Sequence, residues 1–270
     1  MFGPAVRTWT VTFLACLALL RPDPAPADPV AVRFQEGLVH GFLVLRNAEG
    51  KFVANGDLVQ AAHGDRVTSR LTFRFRDGSL QDETAVFTQH QRFQLLTDRL
   101  VQRGPSFPQP LEMWIDREAG QVKVNYTEDD GEQKQVVEKM DLPADLANGM
   151  VSTLLKNVHP GSLPLSLPMV VATPRPRLVK LAVTSAGEEP FSTGNAGRKA
   201  THYVVKIEIG GVAGILAPLL GKQPPDSHVW VLGGNAPAFV KSEGPSFLGG
   251  PIWRIELTSP VWSRTANEKK

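Results

Sequence analysis

The alternation of apolar and polar side chains around Phe73 constrains the fold of this chain more than any other feature of its sequence. Apolar residues at every second position are Val67, Leu71, Phe73 and Phe75, and between them lie Thr68, Arg70, Thr72, Arg74 and Arg76. A period of two is typical of a strand with one buried and one solvated face. The pattern predicts that Phe73 and Phe75 are buried on the same side. The arginines are expected to form a solvated face balanced by nearby acids, with contact to anionic lipid head groups as the alternative.

Similar strand-like segments recur along most of the chain. They cover residues 80–88, 93–101, 122–126, 136–142, 178–184, 201–209, 228–232 and 252–257, and short turns rich in Gly and Asp join many of them. Many strands at short spacing predict an antiparallel meander. The expected fold class is mainly β (β-rich α+β), with a curved antiparallel sheet or half-barrel. Residues 188–199 are predicted to be a long loop because they are rich in Gly, Ser, Asn and Pro.

One main helix is predicted near residues 144–157. Its apolar residues fall on a single helical stripe, consisting of Leu146, Met150, Leu154 and Leu155. Asp145 in the first turn and Lys156 in the last turn both suit the helix dipole. Pro160 and Gly161 end the segment.

The amino-terminal residues are typical of an export signal. Arg7 precedes a 12-residue apolar run at residues 9–20, and Ala25 and Ala27 form a small-residue cleavage site. The run is short for a membrane span. We predict a signal peptide over residues 1–27, cleavage near Ala27, and a periplasmic or secreted mature chain without a transmembrane span. A retained amino-terminal anchor is the alternative. Residues 28–262 are predicted to be a single β-rich domain and residues 263–270 a flexible tail.

Composition and motifs narrow the function classes. The 29 Lys and Arg residues nearly balance the 27 Asp and Glu residues, which argues against a nucleic-acid partner. The 1 Cys lies within the predicted signal, so neither a disulfide framework nor a Cys-rich metal site is expected. The chain contains no nucleophile-elbow, zinc-helix or P-loop motif. No cofactor, metal or catalytic residue is therefore assigned.

The histidines and acidic residues leave one enzymatic alternative open. His202 and His228 lie on strands predicted to be neighbours, where solvated or hydrogen-bonded side chains are expected. A hydrolase-type enzyme would need such histidines to meet acidic residues from separate strands in a cleft. The acidic residues 128–130 lack the ligand spacing of a calcium loop and are expected to form a solvated hairpin tip.

The uncharged segment at residues 210–221 is the strongest hint of a binding function. It predicts a short apolar helix or loop near residues 211–221, which must be buried or must cover something apolar. The first interpretation is a short helix that plugs one end of the core; the alternative is a lid over an apolar cavity or a loop that dips into a membrane surface. The candidate ligand-binding residues are Phe73, Phe75, Ile215, Leu216, Leu219, Leu220, Trp230 and Trp253.

The layout also resembles a group of uncharacterised exported bacterial proteins. The residues that carry the resemblance are 145–149 with their helix, 176–181, and the Trp-containing segment 250–257. In overall shape such proteins are similar to the lipoprotein-carrier and lipid-binding half-barrels of the bacterial envelope. This likeness is one of fold and implies no known activity.

Three hypotheses for function therefore stay open. The first is an exported, non-enzymatic envelope protein that binds a lipid or other hydrophobic ligand in a concavity of the sheet. The second is the hydrolase-type enzyme. The third is a structural or assembly factor that binds another envelope protein.

Overall fold

The computed structural model describes residues 30–128, 130–193, 196–208 and 224–258. These residues form fourteen strands in one sheet, one α-helix and one turn of 3-10 helix, Pro160–Ser162. The strands are β1 (Val39–Asn47), β2 (Phe52–His63), β3 (Arg66–Phe75), β4 (Leu80–Gln89), β5 (Phe93–Arg103), β6 (Leu111–Asp116), β7 (Gln121–Thr127), β8 (Gln133–Lys139), β9 (Leu165–Val171), β10 (Arg177–Thr193), β11 (Ala196–Glu208), β12 (Ser227–Leu232), β13 (Ala238–Pro245) and β14 (Ile252–Thr258). The helix, α1, is Val151–Asn157. The predicted fold class, mainly β with an antiparallel sheet, is confirmed.

The sheet is antiparallel throughout, and almost every pair of neighbouring strands is also consecutive in sequence. Its order is β8-β7-β6-β5-β4-β3-β2-β1-β14-β13-β12-β11-β10-β9. The exception is the ladder between β1 and β14, where Leu45 lies opposite Ile255. In the described residues β8 and β9 are the two edges of this open sheet, and the segment containing α1 connects them. None of the described helices is long and apolar enough to cross a bilayer.

The sheet has two halves, β1–β8 and β9–β14. The main core shows that the sheet curves until these halves face one another. Phe87 and Phe93 from the first half belong to the same buried cluster as Leu181 and Val205 from the second. The predicted helical stripe completes this cluster, since Leu146, Met150, Leu154 and Leu155 are all buried. Burying side chains of this size stabilises the fold by roughly 1.5–3 kcal/mol each.

A second, smaller core lies where β1 to β3 meet β14. Phe73 and Phe75 are both buried in it, as the alternation predicts. The rings of Phe75 and Phe107 meet edge to face at 5.3 Å, and Phe75 lies 5.1 Å from Trp253. On the opposite face of β3, Arg70 pairs with Asp82 and Arg74 with Asp57, so the basic face is balanced by acids as expected.

The helix is shorter than the predicted span near residues 144–157, because residues 144–150 form turns and irregular backbone and regular helix begins at Val151. The cause is local. Gly149 has a φ of +64°, a left-handed conformation that interrupts a helix. The Asn148 side chain also bonds both backbone groups of Val170, at 2.9 Å each, and so ties this turn to β9.

The predicted loop at residues 188–199 is wrong, because most of it is strand. β10 and β11 pair from Lys180 opposite Glu208 to Thr193 opposite Ala196. The register of the two strands shifts between Ser185 and Gly187, and the pairing then continues to the end of the hairpin. Backbone hydrogen bonds between β10 and β11 stabilise the strand conformation here, although the composition of these residues is typical of a loop. The predicted signal, the segment near 211–221 and the tail at 263–270 lie outside the described residues, and the domain division stays a prediction.

Candidate functional site

A cavity of about 400 Å³, the inner cavity, lies between the concave face of the sheet and the residues around α1. This volume is within the range of small-molecule binding sites. Both halves of the sheet supply apolar walls: Leu58, Leu71, Leu100 and Met113 from the first half, and Met169, Ile207, Val229, Phe239 and Ile255 from the second. Residues 147–153 close one side.

The wall formed by β2 to β5 also carries polar side chains, which makes the cavity amphipathic. Gln60, Ser69, Gln81 and Glu83 line it, all on the inward parity of their strands. Gln60 is only 2% exposed, and no hydrogen bond reaches its Nε2 within the described residues. Such a buried, unpaired amide donor is costly unless something else supplies an acceptor.

Two carboxyl groups, Glu83 and Asp98, lie on neighbouring strands of this wall. Asp98 is opposite Ala85, two residues from Glu83. Asp98 is 1% exposed, and within the described residues neither of its carboxyl oxygens has a hydrogen-bond partner. Gly149 lies over it: a Cβ built there would be 3.0 Å from Asp98 Oδ1 and 2.5 Å from Cβ of Ala85. A glycine is needed at this position both for its left-handed φ and for this close approach.

The surroundings of this pair favour the protonated acids. Burial raises the pKa of Glu83 to about 7, and the Gly149 amide offsets the rise only in part. Burial, followed by the negative charge of Glu83, raises the pKa of Asp98 well above its ordinary value.

The other charges that line the cavity have partners. Lys156 at the end of α1 lies 2.5 Å from Glu36. Glu243 on β13 accepts a hydrogen bond from Arg254 at 2.8 Å. In the part of the chain that the structure describes, Glu83 makes no ion pair.

A second constellation, the outer cluster, lies on the opposite face of β10 to β13. His202 Nε2 and His228 Nδ1 are 2.8 Å apart, and His202 Nδ1 is 2.9 Å from Glu189. Trp230 stacks on His202 with ring centroids 4.2 Å apart and donates its Nε1 hydrogen to Glu189 at 2.8 Å. Lys241 lies 3.9 Å above the Trp230 ring. The two histidines therefore meet as hydrogen-bonded strand residues, and they do not line the inner cavity.

The outer cluster stabilises the charge of its carboxylate. The Trp230 hydrogen bond, with a smaller contribution from the charge and hydrogen bond of His202, lowers the pKa of Glu189. Each partner of Glu189 contacts a residue on the next strand: Trp230 of β12 contacts Lys241 of β13, and His202 of β11 contacts His228 of β12. The cluster thus ties the long hairpin β10–β11 to β12.

The acidic hairpin tip is exposed and carries its own counter-charge. Glu128, Asp130 and Glu132 present oxygens within 4.8 Å of one another. Lys134 lies 2.6 Å from Glu132 and 3.9 Å from Glu128. The solvated tip expected from the sequence agrees with this arrangement.

The structure separates the eight residues predicted to bind a ligand. Trp253 lines the inner cavity. Phe73 and Phe75 pack beside Trp253 in the smaller core, and Trp230 belongs to the outer cluster. The remaining four lie outside the described residues: Ile215, Leu216, Leu219 and Leu220. A ligand-binding role stays a prediction for all eight.

Gln60, Glu83 and Asp98 are not among the residues predicted from the sequence to bind a ligand. Glu83 left a partial signal: it shares the strand parity of Ala85 and Phe87, but Leu80 and Val86 make the other parity apolar as well. An acid on the apolar parity of a strand is a candidate site residue. Asp98 left no such signal, because a register shift in the ladder of β4 with β5, between Val86 and Phe87, changes which residues of β5 point inward.

Comparison with known proteins gives a fold-level likeness. No protein-family model matches the chain, and no curated protein sequence matches it. The chain is similar to the crystal structure of a β-barrel-like protein of the domain of unknown function DUF1849 from Brucella abortus. The identity is 8% and the TM-score 0.46, with 84% of this chain and 99% of that chain covered. The likeness concerns the arrangement of strands and carries no inference about activity.

Proposed function

We propose that this protein is an exported envelope protein that binds a lipid or other hydrophobic ligand in the inner cavity, without catalysing a reaction. The observation that carries the proposal is the cavity of about 400 Å³ with apolar walls from both halves of the sheet. Moving an apolar chain from water into such a space is favourable in proportion to the area buried. The signal-like residues 1–27 support export.

The packing around the cavity favours a preformed site. The main core lies on one side of it and the smaller core on the other, and both consist of side chains that are almost fully buried. A ligand that enters a preformed site loses less free energy to ordering the protein. The polar wall supports a ligand with one polar end.

A hydrolase is the second candidate, and the outer cluster is the observation that favours it. Glu189 holds Nδ1 of His202, and Nε2 of the same ring meets His228. A carboxylate that orients an imidazole is a common arrangement for a general base. Esterase activity that survives extensive purification and is lost in His202→Ala would favour this candidate over a purely binding role.

The binding proposal can be tested with a pair of adjacent substitutions. Leu58 lines the cavity, whereas Val59 is 45% exposed on the other face of β2. Leu58→Trp is expected to fill the cavity and to weaken binding of a neutral fluorescent acyl probe by at least about tenfold, equivalent to ~1.4 kcal/mol. Val59→Trp is the matched control and should bind as the wild type does.

Two further measurements make this experiment decisive. Overpacking costs about 1–3 kcal/mol, so the thermal midpoint of Leu58→Trp must show that the variant is still folded at the assay temperature. Native mass spectrometry of the gently extracted wild type should show a co-purifying hydrophobic molecule. Equal probe affinity in both variants, or no probe binding by the wild type, would overturn the proposal.

A further inference from the structure

We propose that the inner cavity recognises an amphiphile whose polar end is a protonated amine, held by Glu83 and Asp98, and whose apolar tail lies along the wall from β9 to β14. The inference rests on the proposed binding of a hydrophobic ligand and adds the chemical class of its head group.

Glu83 and Asp98 lack a counter-charge within the described residues, whereas the other charged residues that line the cavity have one. Lys156 is paired with Glu36, and Glu243 with Arg254. Within the described residues no Lys, Arg or His side chain forms an ion pair with Glu83 or Asp98. An unpaired carboxylate at a buried position is costly, and a cation that arrives with a ligand removes this cost.

Asp98 is a second, independent indication that a ligand supplies hydrogen-bond donors at this wall. Its side chain is 1% exposed, and in the described part of the chain neither of its oxygens accepts a hydrogen bond of normal geometry, although the nearby Arg99 amide partly offsets the rise of its pKa. Asp98 lies directly behind Gly149, which lines the cavity and carries no side chain. A protonated amine carries three donors, enough to reach Glu83 and to satisfy an oxygen of Asp98.

Gln60 indicates a further polar feature of the ligand. Its Nε2 is buried and has no partner in the described residues. Gln60 lies opposite Ser69, and the same row of the sheet continues through Ala85 to Asp98. Three strand spacings of about 4.8 Å separate Gln60 from Asp98, so a hydroxyl or carbonyl oxygen roughly 14 Å from Asp98 would find this donor.

The same wall disfavours an anionic head group. A carboxylate or phosphate placed beside Glu83 would be repelled wherever either acid is ionised, and it would leave the unpaired oxygens of Asp98 unsatisfied. A neutral head group would not be repelled, but it would bring no positive charge to the two carboxyls. The expected order of affinity is therefore amine, then alcohol, then carboxylate, for tails of equal length.

The experiment compares dodecylamine, dodecanol and dodecanoate by isothermal titration calorimetry on the full-length protein at about pH 8, below the micelle concentration of the two charged probes and the solubility limit of dodecanol. We expect dodecylamine to bind at least about tenfold more tightly than dodecanol, and dodecanoate more weakly than both. Putrescine, an amine without an apolar tail, should show no measurable binding.

Substitution of the carboxyls assigns the preference to them. Glu83→Gln and Asp98→Asn should each reduce the affinity for dodecylamine toward that for dodecanol, while the affinity for dodecanol stays unchanged and shows that the cavity is intact. Glu112→Gln is the matched control, because it removes one negative charge from the outer face of β6, where Glu112 pairs with Arg99. It should leave the preference for the amine intact.

The outcomes separate this inference from the proposed function. If all three probes bind with similar affinity, or if the double variant Glu83→Gln/Asp98→Asn keeps the preference, the head-group inference is wrong and hydrophobic binding stands. Tight binding of putrescine would show a cation site that is independent of any lipid. If none of the three probes with tails binds, both proposals fall.

Discussion

The two faces of one sheet hold carboxylates under opposite conditions. On the outer face, Glu189 accepts a hydrogen bond from Trp230 and contacts His202, and its pKa is lowered. On the inner face, Glu83 has no cation in the described residues, and burial raises its pKa to about 7. A carboxylate whose hydrogen-bond and charge partners belong to the protein, such as Glu189, stabilises the fold. One left without partners beside a cavity is available to a ligand.

The largest effect is expected when the inner site is crowded. Gly149→Ala would place a methyl group against Ala85 and Asp98 on a backbone with a φ of +64°. The left-handed strain costs about 1–2 kcal/mol and overpacking a further 1–3 kcal/mol. We therefore expect the free energy of unfolding to fall by about 2–5 kcal/mol in urea denaturation.

Gly64→Ala is the matched control for that measurement. Gly64 has a φ of +58°, and a Cβ built there would meet nothing within 4 Å. Its cost should therefore be only the backbone strain of about 1–2 kcal/mol. Equal losses in the two variants would show that the close contact of Gly149 with Ala85 and Asp98 has no energetic weight.

The second effect is a gain in stability when the inner charge is removed. Because the pKa of Glu83 rises from 4.5 to about 7 on folding, the folded state binds more protons than the unfolded state between these values. Wild-type stability should therefore fall as the pH rises through this window. Glu83→Gln should raise the free energy of unfolding at about pH 8 by on the order of 2 kcal/mol, and should change little at about pH 4.

Thermal melts at both pH values test this expectation. An NMR titration of the Glu83 carboxyl carbon measures the pKa directly. If Glu83→Gln is destabilising at about pH 8, Glu83 must have a favourable partner, and the contrast between the two faces disappears.

The smallest effect, with the opposite sign, is expected on the outer face. The lowered pKa of Glu189 contributes stability above its ordinary value, and this contribution is lost as the pH falls through the lowered value. Glu189→Gln should therefore lower the thermal midpoint slightly at about pH 8, by about a degree or two, since the group is solvated. At low pH the variant should melt as the wild type does. A rise in the midpoint at about pH 8 would contradict the assignment.

Much of the fold follows from local patterns. The period of two around Phe73 predicts a half-buried strand, and the Asp- and Gly-containing turns predict an antiparallel meander; the structure contains both. The predicted helix is too long because its apolar stripe continues past Gly149, whose left-handed φ the stripe does not show. The long hairpin was missed because backbone pairing, which composition does not show, holds its polar residues.

The candidate site could be predicted only in part. Strand parity gives only a partial signal for Glu83, because β4 carries Ala85 and Phe87 on one parity and Leu80 and Val86 on the other. Asp98 could not be found in this way, because the alternation of Phe93 and Leu95 continues to Thr97 and Arg99 in the sequence, whereas the register shift turns Asp98 and Leu100 inward. The cavity itself depends on the distant pairing of β1 with β14, for which no local pattern exists.

That pairing also sets the order in which the protein can assemble. Every other ladder joins strands consecutive in sequence, so two separate meanders can form early and at low entropic cost. Joining them requires residues as distant as Arg46 and Glu256, which are 210 positions apart, to meet. We expect this closure to be the slow, late step of folding. The inner cavity then exists only in the finished molecule, and a ligand bound there would protect the β1–β14 junction against opening.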